Sequence, residues 1–203
     1  MRLYTYVVAR DFGFAPNPFF GYCTLATCKP GIRQSARVGD LVVGTGSAQR
    51  RRGGRLVYAM RVTEVTDFDH YWRSPRFAVK QPTMHGSKKQ AFGDNIYHRD
   101  PDTEEWLQAN SHHSLADGTA NRRTMSDDLK SFGVLISDNF VYFGGDGPII
   151  PDAVRITNGA DLCIGRGYKY RFPPEAARQF EVWWQSLGEV GCVGRPLDWS
   201  RSA

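Results

Sequence analysis

Three of the chain's five histidines, His98, His112 and His113, lie in two short stretches, GDNIYH (93–98) and ANSHHS (109–114). Asp94, Asn95, Tyr97, Asn110 and Ser111 stand among them. Imidazoles beside a carboxylate, amides and hydroxyls can move a proton or hydrogen-bond the edge of a base. His98 and His113 are therefore candidate general bases, and Asp94 is the candidate acid to orient one of them. Cys28, in TCKPGIR, is the candidate nucleophile, because Lys29 and Arg33 beside it in sequence favour a thiolate. The competing reading of both stretches is a polar loop whose side chains hold their own backbone through Asx-type turns.

Metal chemistry fits less well. His98, His112, His113 and Asp94 are suitable ligand types, but their spacing matches no H-E-x-x-H helix or similar signature, so no metal is expected. No cofactor is expected either. GTG (44–46) is too short for a dinucleotide fingerprint, no lysine follows a G-x-x-x-x-G run, and the G-x-S-x-G elbow of serine hydrolases is missing. FGGDGPIIP (143–151) reads as a turn.

Charge adds a second kind of chemistry. The chain is +5 overall, yet residues 1–60 hold nine basic residues against Asp11 and Asp40, a surplus of +7. The positive field thus belongs to the N-terminal third, as a phosphate-bearing partner requires.

These residues need a scaffold, and 203 residues with 41% apolar content suffice for one sizeable core, so a single domain over 1–203 is expected. Leu3 to Ala9 and Asp40 to Thr45 read as strands, and Leu56 to Val65 as a longer one. The arginines of GSAQRRRGGR would sit at the tip of a hairpin. Asp67 to Trp72 forms a helical turn or two, and the tract from Pro75 to Asn121 is irregular. Val134 to Ser137 and Phe140 to Phe143 read as a hairpin about Asp138-Asn139. Pro173-Pro174-Glu175 opens a helix whose Ala177, Phe180, Trp184 and Leu187 recur at helical spacing, with Gly188 as its stop.

Four cysteines without a C-x-x-C pair imply reduced, mostly buried thiols. No apolar run reaches the roughly 20 residues of a membrane helix, and MRLYTYVVARDFG has a strand's pattern rather than a signal peptide's. A cytoplasmic protein with no membrane partner is expected.

The series FAPNPFFGYCTLATCKPGIR, ARVGDLVVGTGS, GDNIYH, NSHHS and VLISDNFVYFGG resembles the nucleotide modification associated domain 2 family. More loosely, KPGIRQSA leading to VGDLVVG and LVYAMRVTEV is similar to the order in PUA-like EVE and ASCH domains. The resemblance implies an α+β fold, either a PUA-like β-barrel or a mixed, mostly antiparallel sheet with a few flanking helices. It implies a partner that is a nucleic acid or nucleotide with a modified base, which the protein recognises or helps to process. Thr45 and Ser47 would then frame a pocket, Arg33, Arg50, Arg51, Arg52 and Arg55 would contact phosphate, and Asp94, Asn95, His98, Ser111, His112 and His113 would form the base site. The alternatives are an enzyme of base or nucleotide modification using His98 or His113 with Cys28, and a protein-interaction module presenting Trp72 and Trp106.

Overall fold

A computed structural model describes residues 1–201. In chain order the strands are β1 (Leu3–Val8), β2 (Cys23–Leu25), β3 (Leu41–Gly46), β4 (Leu56–Arg61), β5 (Glu64–Asp67), β6 (Tyr97–Arg99) and β7 (Trp106–Gln108). They continue as β8 (Gly133–Ser137), β9 (Asn139–Gly144), β10 (Ile156–Thr157), β11 (Ala160–Asp161), β12 (Tyr168–Lys169) and β13 (Gly191–Arg195). The helices are α1 (Pro30–Ser35), α2 (Phe68–Arg73), α3 (Lys88–Ala91), α4 (Arg122–Asp128), α5 (Asp152–Arg155) and α6 (Pro174–Ser186). Contacts divide the chain into two compact units: residues 1–12, 36–63 and 137–203, and residues 13–35 and 64–136.

The first unit is built on a six-stranded mixed sheet in the order β12-β1-β3-β4-β9-β13. β1–β3 and β9–β13 are parallel and the other neighbours antiparallel, so the sheet is mostly antiparallel. Among the described residues no pairing joins β12 to β13, and the sheet is open. All six residues of β3 are buried, as its near-continuous apolar run requires. Ala177, Phe180 and Trp184 of α6 join Leu3, Leu41, Val43, Leu56, Ala59 and Val141 of the sheet in one apolar core. Pro174 stands in the first turn of α6, and Gly188, with φ +67°, follows its end.

The second unit has a three-stranded sheet in the order β2-β8-β5 and a two-stranded one, β6–β7. Its tract from 75 to 121 is short of regular structure because buried polar groups organise it. Lys80, fully buried, donates from Nζ to the Asn17 carbonyl and Oδ1, the Tyr22 carbonyl and Thr24 Oγ1 at 2.7–3.1 Å. Asp94 accepts from Thr24 Oγ1 at 2.6 Å and from the Tyr71 hydroxyl at 2.9 Å.

Two expected elements divide differently. The long strand over 56–65 is two strands: β4 pairs with β3 and β9 in the first unit, and β5 pairs with β8 in the second. The apolar pattern was continuous because both strands are strands, and the change of sheet at Thr63–Glu64 leaves the β-period intact. Nor do β8 and β9 form a hairpin, since β8 pairs with β5 and β9 with β4 and β13. A type I′ turn needs positive φ at both central residues. Neither Asp138 nor Asn139 has it. The Ser137 hydroxyl instead donates to the carbonyls of Arg61 and Asn139 and turns the chain.

Candidate active site

Cys28 follows β2 and precedes α1, in the second unit. Its φ is +56° and that of Lys29 is +43°, two successive non-glycine residues in the left-handed region. Such a conformation costs about 1–3 kcal/mol per residue and persists only where the surroundings enforce it. Here the Cys28 amide donates to Asp128 Oδ1 at 2.6 Å, and its carbonyl accepts from Arg33 Nε at 2.8 Å.

Arg33, 1% exposed, is what locks this corner. Its other nitrogens donate to the carbonyls of Ser131, Gly133 and Asp128 at 2.6–2.8 Å. Its guanidinium also lies over the Phe68 ring, 5.2 Å from the centroid. Gly133 belongs to the same corner, because a Cβ there would stand 2.7 Å from the Arg33 carbonyl oxygen.

Asp128, 2% exposed, ends α4 and is the hub of the site. While Oδ1 takes the Cys28 amide, Oδ2 accepts from the Tyr97 hydroxyl at 2.9 Å and lies 3.0 Å from His113 Nδ1. The opposite ring nitrogen, His113 Nε2, stands 3.7 Å from Cys28 Sγ. Thiol, imidazole and carboxylate are thus arranged in series, the order that lets an acid orient a base and the base serve a nucleophile.

The loop of 111–114 presents the imidazole. Ser111 N donates to Ser114 Oγ, His113 N donates to Ser111 Oγ, and the Thr124 hydroxyl donates to the His113 carbonyl. Phe14 packs on the imidazole with centroids 4.7 Å apart. The His113 side chain keeps 15% of its exposure. Burial pulls its pKa down, but hydrogen bonds with Asp128 and Cys28 more than offset this and push it up to about 9. Burial lowers Lys29, which the charge of Cys28 partly restores.

Other anticipated residues go elsewhere. Side chains alternate along β6, so Tyr97 reaches Asp128 whereas His98 turns to Trp72, stacked at 3.9 Å between centroids with 10° between planes. Burial lowers the His98 pKa. Asp94 spends its oxygens on Thr24 and Tyr71 and orients no histidine through them. Asn95 Nδ2 donates to the carbonyls of Tyr71 and Phe77. His112 meets the edges of Phe14 and Phe92. Trp106 is stacked on Phe132.

Thr45, Ser47, Arg50, Arg51, Arg52 and Arg55 all belong to the first unit. Thr45 Oγ1 donates weakly to the Tyr6 carbonyl at 3.4 Å. Among the described residues no group of three or more His, Cys, Asp or Glu is arranged to hold a metal ion. Among the described residues no helix is long and apolar enough to cross a membrane.

Sequence reasoning missed Asp128. It sits in SDDLKS beside Asp127, which is exposed and paired with Lys130. Neighbouring helical residues point about 100° apart, so one faces solvent and the other the site.

A family model described as nucleotide modification associated domain 2 matches residues 1–203. No curated protein and no solved structure matches the chain.

Proposed function

From the premise that this chain belongs to the nucleotide modification associated domain 2 family, we propose that it is a thiol-dependent group-transfer enzyme of nucleotide modification, with Cys28 as nucleophile. The observation that carries this reading is the alignment of Cys28 Sγ, His113 and Asp128, at 3.7 and 3.0 Å.

His113, pushed up to about 9, keeps both ring protons at neutral pH. Its Nε2–H faces Cys28 Sγ across 3.7 Å, within reach to pass a proton to or from the reacting groups. Asp128 holds the imidazole by Nδ1, and Tyr97 and the Cys28 amide hold Asp128. The thiolate forms an S–C bond to an electrophilic carbon of the substrate. The leaving group departs with the bond's electron pair and takes the proton from His113 Nε2. The neutral imidazole then accepts a proton from the second nucleophile, an acceptor group or water, which displaces the thiolate and completes the cycle.

The Cys28 amide is engaged by Asp128, so it is not turned toward an oxyanion in this arrangement. Lys29, half-buried beside the thiol, is the cation placed to meet negative charge that develops there. A unit that only recognised a base would have no use for a base held against a thiol.

Site-mapped alkylation by iodoacetamide tests the reading without a known substrate. At pH 7.5, in a Cys192→Ser background that removes the exposed thiol, Cys28 should react faster than Cys23 and Cys163. His113→Ala should slow it about tenfold. Equal rates with and without His113 would remove the basis for the proposal.

A further inference from the structure

The six-stranded sheet of the first unit ends on β12, which among the described residues pairs only with β1. The stretch that carries this edge strand, GRGYKYR (165–171), holds three cations and no acid. Antiparallel pairing sets Tyr6 opposite Tyr168 and Thr5 opposite Lys169. Side chains alternate along a strand, so Tyr168 and Tyr170 share the face of Tyr4 and Tyr6, and Lys169 takes the other.

Three rings lie in a row on the tyrosine face. Tyr170 stacks on Tyr4 with centroids 6.1 Å apart and 25° between planes, and Tyr168 stacks on Tyr170 at 6.1 Å and 24°. Tyr4 is fully buried, whereas Tyr168 and Tyr170 are 42% and 44% exposed. Two large rings are thus held in a fixed orientation by a buried one and left facing solvent.

The cations divide in the same way. Lys169 is engaged, since its Nζ donates to the Asp161 carbonyl at 3.2 Å and lies 4.7 Å from the Phe172 ring centroid. Arg166 and Arg171 are exposed, and among the described residues neither meets a carboxylate. Arg171 lies over the Tyr170 ring, 5.7 Å from its centroid, which keeps a guanidinium beside the stack. Arg166 stands between Gly165 and Gly167, where an added Cβ would meet nothing within 4 Å. Gly167, with φ +78°, turns the chain into β12.

Charge alone suffices to guard an edge strand against further pairing. It gives no reason for two rings ordered at the surface beside arginines that have no ion pair. Unpaired bases stack on such rings, and their phosphates take the guanidinium charge, with no enclosed cavity needed. We propose that this edge, Tyr168 and Tyr170 with Arg166 and Arg171, is a docking surface for single-stranded nucleic acid. Bases lie on the two rings and backbone phosphates at the two arginines. The surface is independent of the chemistry assigned to Cys28.

The test is fluorescence anisotropy of the full chain with labelled oligothymidylate and oligouridylate of about twelve nucleotides. Tyr168→Ala should weaken binding about tenfold and leave the slope of log K against log salt unchanged, while Tyr168→Phe, which keeps the ring, should bind like the wild type. Arg166→Ala and Arg171→Ala should each reduce the magnitude of that slope by roughly 0.7. An abasic strand of the same length should bind about tenfold more weakly than oligothymidylate and should not distinguish Tyr168→Ala from the wild type. The tighter of the two strands tells DNA from RNA, and either supports the surface. No binding at low salt, binding that ignores Tyr168, or equal affinity for a duplex or the abasic strand would overturn the proposal. Thermal melts establish that each variant is folded. The abasic strand, which needs no variant, keeps the test decisive if Tyr168→Ala unfolds.

Discussion

Asp94 and Asp128 are two buried carboxylates of the same unit, each accepting a tyrosine hydroxyl at 2.9 Å. Their remaining partners differ. Asp94 takes the Thr24 hydroxyl, and Thr24 also accepts from buried Lys80, so this network ties together three stretches of chain. Burial pushes the Asp94 carboxyl up, with Lys80, Thr24 and Tyr71 pulling against it. Asp128 takes a histidine whose far nitrogen meets a thiol. A buried acid beside a tyrosine is therefore no mark of chemistry in itself; what lies beyond its partner decides.

The largest effect should come from the Asp94 side. Lys80→Ala leaves the oxygens of Asn17, Tyr22 and Thr24 without their ammonium and should cost about 3–5 kcal/mol of stability, read by chemical denaturation. If Lys80→Ala melts like the wild type, the contrast between a fold-holding and a chemistry-holding carboxylate collapses.

On the Asp128 side, stability should depend on pH with a defined sign. A folded His113 pKa raised from the ordinary 6.5 to about 9 stabilises fully below pH 6.5, and that contribution is lost as pH rises through about 9. The stability gap between wild type and His113→Gln should therefore shrink by about 3 kcal/mol from pH 6 to pH 10. A gap that widens with pH would reverse the assignment.

Asp128→Asn should slow Cys28 alkylation about tenfold, because it removes the charge that holds the imidazolium, whereas Asp94→Asn should leave the rate of the folded protein unchanged. Tyr97→Phe should have the smallest effect, about 1 kcal/mol of stability and about a threefold slower alkylation. Its role is positioning, so its kinetic effect should exceed that of Tyr71→Phe at Asp94.

Much of this molecule was legible in advance where the signal is local. The β-branched runs of β1 and β3 and the proline-opened α6 gave their elements away, and Cys28 and His113 were nominated by residue type. Asp128 was hidden because a helix end distinguishes it from Asp127 only through tertiary packing. Arg33, expected at phosphate, is enclosed by four carbonyls that come from residues 28 and 128–133. No local pattern encodes such distant partners. His98 and His113 looked equivalent in sequence, and the alternation of β6 sends His98 to Trp72.

The measurement that bears most directly on the thiol, imidazole and carboxylate unit is an NMR titration of His113, before and after alkylation of Cys28. Such a unit should give His113 a pKa near 9 in the free protein and a clear fall once sulfur is capped. A His113 that titrates near 6.5, or that ignores the state of Cys28, would contradict it.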